Sequence, residues 1–339
     1  MKNTKNTALV ITSIAGPESK VLQTYAKECG ERDIPFIVIG DSKSPDNFHL
    51  NNCDFWDLDR QKTLQFSLAP ILPTGHYSRK NLGYLNALKI GATTIVETDD
   101  DNYPLPDFWS ALDRSRKIKA YDIKNEGWVN VYRYFSDDMI WPRGFPLEQI
   151  QEQAKDLSNF TNQQVTCPIQ QGLADENPDV DALYRLSYPL PIQFKKGPKL
   201  ALGQNAWSPF NSQNTFWFRE AMPLMYLPSY CSFRMTDIWR SFITQRVAWE
   251  NDWSVLYHES TVWQERNDHN LLKDFEDEIP GYLNNQKIID VLTDLELKAG
   301  EDAICDNLLK CYDAMIDNGW IEAKEAPLVR AWVEDISNV

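Results

Sequence analysis

Several kinds of residue that mark common protein classes are scarce or missing in this sequence. Its six cysteines, at 29, 53, 167, 231, 305 and 311, lie far apart except for the last pair, and none forms a C-x-x-C ligand pair. Neither a disulfide framework nor a zinc ribbon is therefore expected. No run of 18 apolar residues occurs, so no membrane-spanning helix is expected. The apolar stretch Ala8 to Ile14 is short and interrupted by Thr12 and Ser13, without the h-region and cleavage site of a secretory leader. A cytoplasmic protein with reduced thiols is the expectation, and there the sequon Asn159-Phe160-Thr161 is a chance match. Positive charge is also short: 34 Lys and Arg stand against 49 Asp and Glu, a net charge of −15. That balance is ill suited to a nucleic-acid backbone, which is bound by releasing its counterions to basic side chains. A phosphorylated small molecule would need a metal ion or a few placed cations to reverse the local repulsion.

What remains is the composition of an ordinary globular protein, 42% hydrophobic and 24% charged over 339 residues, with no repeats or low-complexity tracts. The first third alternates strand and helix patterns, which predicts a parallel sheet with crossover helices. Ala8 to Ile14 and Pro35 to Gly40 read as buried strands, separated by a helix carrying Val21, Leu22, Tyr25 and Ala26 and stopped at Gly30. The polar loop Asp41 to Pro45 leaves the carboxyl end of the second strand, where ligands of open α/β sheets bind. A helix is predicted over 78–89 with Leu82, Leu85 and Leu88 on one face, then a buried strand over 93–98, and a helix over 107–118. Residues 135–230 lack periodicity and read as long loops and short strands. A helix from Asp237, a strand over 254–257, and helices over 285–299, 300–318 and 321–336 complete the pattern. The division expected is a sheet domain over 1–269 and a helical appendage over 270–339.

The strand ending at Thr98 runs directly into Asp99-Asp100-Asp101-Asn102. Successive carboxylates repel one another and cost stability unless they are solvated or bound to a cation. A hard divalent ion such as Mg or Mn suits such an oxygen-rich cluster. The alternative is a solvated acidic turn.

The polar loop after the second strand, the Arg79-Lys80 helix and the acidic strand end together resemble the GT-A fold of nucleotide-sugar glycosyltransferases, whose DxD motif is matched by Asp99 and Asp101. At longer range, HYSRKNLGYLNALKIGA, ETDDDN, WPRGFPLE, GLADENPDVDALYRL, FNSQNTFWFREA, FRMTDIWR and QERNDHNLLKDFEDEIPGYLNN resemble the STELLO-type glycosyltransferase family over most of the chain. Unlike plant members of that family, the chain shows no N-terminal anchor, so Golgi residence is not expected. A fainter similarity, through Arg143-Gly144-Phe145-Pro146 and Pro178-Asp179-Val180-Asp181-Ala182, links it to the reversibly glycosylated polypeptides, which include UDP-arabinopyranose mutases.

The resemblance implies a mixed α/β sheet flanked by helices and a metal-dependent transfer of sugar from a nucleotide-sugar, UDP-linked, to an acceptor hydroxyl such as that of a glycan. It implies Mn or Mg on Asp101 and Asp99, with His258 or His269 completing the shell, and Asp99 or Asp100 reaching ribose or sugar hydroxyls. Thr12, Ser13 and Asp41 stand where the fold holds the base and ribose, turn chemistry accounting for Asp41 equally well, and Arg79 and Lys80 stand where they could face the diphosphate or the base, or form a solvated helix face. Asp237 matches the catalytic base, although the family pattern has Glu-Asp where this chain has Thr236-Asp237. Asp179 and Asp181 would support donor or acceptor hydroxyls or merely cap a turn, and Trp207 is the candidate for stacking on a sugar, with burial in the core as the alternative for the tryptophans. Two alternatives stay open: a mutase that carries sugar on Arg143, and a non-catalytic scaffold that binds nucleotide or glycan for a partner enzyme.

Overall fold

Continuous apolar runs in the first third set the centre of a large sheet, because a strand covered on both faces needs no polar side. A computed structural model describes residues 6–110, 115–265 and 270–339. It opens with β1 (Thr7–Thr12), α1 (Lys20–Gly30), β2 (Phe36–Ile39), β3 (Asp54–Trp56), the single turn α2 (Leu58–Gln61), α3 (Lys80–Lys89) and β4 (Thr94–Thr98). These four strands are parallel in the order β3-β2-β1-β4. Alternation splits β1 between two layers: Ala8 and Val10 join the core under α3, and Leu9 and Ile11 join the one under α1. Gly83 allows the close approach of α3, since a Cβ there would stand 2.5 Å from Val10 Cγ1. α3 is buried from Lys80 to Leu88 rather than along one stripe, because polar side chains on its other faces are also enclosed.

The chain continues through β5 (Asn102–Pro104), β6 (Lys117–Ile123), β7 (Gly127–Trp128), β8 (Thr161–Thr166), β9 (Ile169–Asp175), α4 (Ala182–Ser187), β10 (Leu200–Leu202), β11 (Ala206–Trp207) and β12 (Asn214–Phe218). It ends with α5 (Thr236–Trp249), β13 (Val255–Gln264), α6 (Leu271–Asp294), α7 (Ile304–Asp317) and α8 (Glu325–Ser337). Among the described residues the main sheet has eleven strands; past β4 it runs β12-β9-β13-β10-β6-β8, with β12 antiparallel to both neighbours and β5 added along β13. This is the mixed α/β sheet flanked by helices that was expected.

Three elements differ from the sequence reading. The helix expected over 107–118 is not formed at its end: Lys117 and Ile118 begin β6, which pairs antiparallel with β8. β9 is a central strand inside the stretch expected to be loops and short strands. α6, in the region beyond 270 read as mainly helical, starts at Leu271, capped by the Asn270 side chain, continues through Pro280-Gly281 and ends at Asp294, short of the stripe read over 285–299. Gly281 lets Met235 pack on the helix, since a Cβ would stand 2.3 Å from its sulfur.

α6, α7 and α8 bury Ile288, Leu292, Leu308, Tyr312, Val329 and Trp332 in the same apolar cluster as α3 and α5. The boundary expected after residue 269 adjoins residues 266–269, outside the described residues. No helix among the described residues is long and apolar enough to cross a membrane.

Candidate functional site

The chain reverses its direction of travel across the sheet between β1 and β4, and a cleft opens at the carboxyl ends of these strands, as the geometry of doubly wound sheets provides. Two cavities of ≈ 280 and ≈ 320 Å³ share Thr12, Tyr77, Asp100 and Phe233 and form one continuous site. The first holds Asp99, Asp100, Asp101, Arg143, Asp179 and Asp237; the second is bordered by Ser13, Ile14, Ile39, Asp41, Gly75 and His76.

Each carboxylate of the acidic run has a different partner. Buried Lys80 donates from Nζ to Asp99 Oδ1 at 2.8 Å, to the Thr98 carbonyl at 3.0 Å and to the Ser212 carbonyl at 3.4 Å. Withdrawal from bulk water raises the Asp99 pKa above the ordinary carboxylate range, and Lys80 opposes that rise. Asp100 Oδ2 accepts from Ser13 Oγ at 2.5 Å, and burial raises its pKa as well. Asp101 accepts from Asn102 Nδ2 at 2.8 Å and from Gln264 Nε2, at the end of β13, at 2.9 Å.

Opposite this run, Arg143 lies between two carboxylates. It donates to Asp179 from Nε at 2.8 Å and Nη2 at 2.9 Å, to Asp237 from both Nη atoms at 3.1 Å, and to the Arg234 carbonyl. Burial alone would raise the Asp179 pKa; the adjoining guanidinium outweighs it and holds the group below the usual range. The same opposition drives the Arg143 pKa upward despite its burial. Asp237 also accepts from the Ser212 amide at 3.2 Å and from Tyr77 Oη at 3.3 Å. Three residues further along α5, Arg240 donates to Glu97 Oε1 at 2.9 Å and Oε2 at 3.1 Å. Both are fully buried, and Glu97 also accepts from Trp217 Nε1 at 2.8 Å and from Tyr84 Oη. That cluster fastens α5 to the strand carrying the acidic run.

Other expected residues have different places. Arg79 borders the second cavity, and its guanidinium clamps the adjoining loop through Gln61 Oε1 and the Leu72 and Pro73 carbonyls. Asp41 uses its carboxylate to hold the Ser42, Gly75 and His76 amides. His258 is buried against Gly172. It lies six residues before Gln264 on β13 and is not among the residues lining either cavity. His269 lies outside the described residues. Trp207 is core, 3% exposed and packed edge-on against Trp249 and Phe242. Asp181 caps α4 through the Tyr184 amide at 2.7 Å and accepts from Trp141 Nε1 at 2.7 Å; burial raises its pKa to about 7.

Tyr77, Asn211, Phe233, Arg234 and Gln264 line the cleft without having been singled out from sequence. All five nevertheless fall within the motifs HYSRKNLGYLNALKIGA, FNSQNTFWFREA, FRMTDIWR and QERNDHNLLKDFEDEIPGYLNN, so motif context was the available clue.

The acidic run suits an ion that retains water and phosphate ligands. Among the described residues no three His, Cys, Asp or Glu side chains form a metal-holding group. Mg and Mn, however, are commonly bound by one or two carboxylates together with substrate phosphates. Asn102 Oδ1 and Gln264 Oε1, whose amides hold Asp101, are buried acceptors without a hydrogen-bond partner among the described residues, so oxygen ligands are in surplus here.

A family model for STELLO glycosyltransferases matches residues 234–339. The chain is similar to two Arabidopsis thaliana proteins. It is 29% identical to probable glycosyltransferase STELLO2 over 88% of this chain and 41% of the relative, and 26% identical to probable glycosyltransferase STELLO1 over 96% and 44%. It thus spans less than half the length of these curated relatives. A solved structure, M. tuberculosis glucosyl-3-phosphoglycerate synthase, is a distant likeness with TM-score 0.41 and 10% identity, covering 82% of this chain and 80% of that one.

Proposed function

We propose that the cleft transfers a sugar from a nucleotide diphosphate-sugar, UDP-linked, to an acceptor hydroxyl. The observation that carries this reading is the acidic run Asp99–Asp101 at the end of β4, facing a cavity continuous with a pocket at the ends of β1 and β2. Similarity to the STELLO glycosyltransferases supports it.

In this reading Thr12, Ser13, Ile14 and Ile39 border the base and ribose, and Asp41 acts by holding the 75–76 turn that forms the pocket's far wall. Asp101, with the outer oxygen of Asp99, would hold Mg or Mn, which when bound neutralises the departing diphosphate. Lys80 offsets Asp99, so the run presents less negative charge to the donor than three free carboxylates would. Asp237 takes the acceptor's proton. Its contact with Tyr77 Oη, at 3.3 Å, is the longest it makes, and an incoming hydroxyl would displace that contact first. Arg143 orients Asp237. All of its N–H directions are committed to Asp179, Asp237 and the Arg234 carbonyl, which argues against its serving as a sugar carrier.

A screen of nucleotide-sugars for thermal stabilisation, run with Mn and with chelator, tests the reading, because a ligand that binds only the folded state stabilises it by mass action. UDP-sugars stabilising the protein only with metal present is the expected result; no stabilisation by any nucleotide-sugar would refute it.

A further inference from the structure

The first cavity is lined by five carboxylates, Asp99, Asp100, Asp101, Asp179 and Asp237, so any diphosphate entering it needs cationic donors that are not already spent. Lys80 is spent on Asp99 and two carbonyls, and Arg143 on Asp179, Asp237 and the Arg234 carbonyl. Arg234 differs. It lines the same cavity, and among the described residues its hydrogen bond and ion pair both go to Glu278, while Asp179 and Asp181 only feel its charge from nearby. Nε donates to Glu278 Oε1 at 3.0 Å, while Nη2 makes ion-pair contact with the same oxygen at 3.0 Å without a hydrogen bond. A guanidinium has five N–H donors in a fixed fork, so most of this one's donating capacity is unused.

Its support is rigid. Glu278, fully buried on α6, also accepts from the Ala182 amide at 2.7 Å and from Tyr282 Oη at 2.8 Å. The Arg234 carbonyl is held by Arg143. A buried carboxylate on one edge and a ligand cavity on the other is the arrangement by which an arginine is preset for planar, bidentate recognition of an oxyanion.

We propose that Arg234 is the donor-side anion contact of the cleft, its guanidinium binding the diphosphate oxygens on the side away from Asp101, with Glu278 as its positioning residue. This rests on the glycosyltransferase reading for the identity of the ligand, but not for the presence of an oxyanion.

The test is calorimetric titration of the full chain, in Mn, with inorganic pyrophosphate, UDP and uridine. Arg234→Gln should weaken pyrophosphate and UDP on the order of 10- to 100-fold, the loss of a charge-assisted contact, and leave uridine unchanged. Because that variant leaves Glu278 buried without its cation, the double variant R234Q/E278Q, which removes both charges, should show the same loss. Pyrophosphate keeps the two questions apart: loss of its binding in the variants supports the Arg234 contact even if no nucleotide-sugar is turned over. Pyrophosphate affinity equal in wild type and the folded variants would overturn the proposal. So would retained pyrophosphate and UDP affinity with lost turnover, which would move the guanidinium to the acceptor.

Discussion

Arg143 and Asp237 face each other at 3.1 Å through both Nη atoms of the guanidinium, inside a cleft from which both side chains are 6% exposed. Since Asp179 holds the other edge of Arg143, the catalytic candidate on α5 is oriented by a loop nearly a hundred residues earlier in the chain. A carboxylate held this way has a fixed direction, which a proton acceptor in sugar transfer needs.

Asp237→Asn preserves the shape and removes the proton acceptor. Turnover of a UDP-sugar should fall on the order of 10²- to 10⁴-fold, the usual share of a general base, while donor affinity stays within a few-fold of wild type. Steady-state kinetics beside UDP titration would separate the two. Unchanged turnover would remove Asp237 from the chemistry.

If Arg143 orients Asp237 and carries no sugar, as proposed, wild-type protein incubated with UDP-sugars should keep its unmodified intact mass. Arg143→Ala leaves two buried carboxylates facing each other and should lose about 3–5 kcal/mol of stability in denaturant unfolding. A hexose or pentose adduct on wild type that vanishes in Arg143→Lys would restore the mutase reading.

Glu97 and Arg240 make another buried pair. Glu97→Gln should cost about 3–5 kcal/mol, because Arg240 would be left charged and without a counterion in the core. Denaturant titration of the single and the Glu97→Gln, Arg240→Met double variant measures it; the double variant should recover part of the loss.

Asp181 gives a pH signature. Its folded pKa of about 7 lies above that of an unfolded aspartate, so its stabilising contribution is complete below about pH 4 and is lost as pH rises through 7. Asp181→Asn cannot titrate, so its melting temperature relative to wild type should rise between pH 5 and pH 8. A difference that does not vary with pH would show that Asp181 is already ionised in the folded state.

How much of this was legible beforehand depended on what each residue needs in order to be read. Asp99–Asp101 stand out because three adjacent acids after an apolar strand cannot be explained by burial. Asp237 and Arg143 lie in long motifs. β9 was hidden by Gln170 and Gln171 at its centre, which read as loop; Gln171 is only 4% exposed because Asn211, Asn214, Thr215 and Gly172 satisfy its amide. Arg79 could not be assigned from local pattern, since its inward turn is dictated by Gln61 and two carbonyls of a loop without periodicity. His258 was placed at the acidic run by the resemblance; it lies on β13 six residues before Gln264, the residue of that strand that reaches Asp101. The C-terminal helices were read as an appendage packed on the sheet domain, but which loops they hold was not legible: Glu325 of α8 accepts from the Ser229 amide at 2.9 Å and the Tyr230 amide at 2.7 Å, in the loop leading to Phe233 and Arg234. Asp335 accepts from the Ser67 and Leu68 amides, in the loop leading to Gly75 and His76. Such contacts join residues more than ninety positions apart and leave no trace in local composition.

The most direct measurement is calorimetric titration of UDP into the wild-type protein and Asp101→Ala, each with Mn and with excess chelator. Saturable binding by wild type that is lost on chelation and weakened at least tenfold in folded Asp101→Ala is the predicted result. Equal UDP binding in all four conditions, or none in wild type with Mn, would contradict a metal-assisted diphosphate site at Asp99–Asp101.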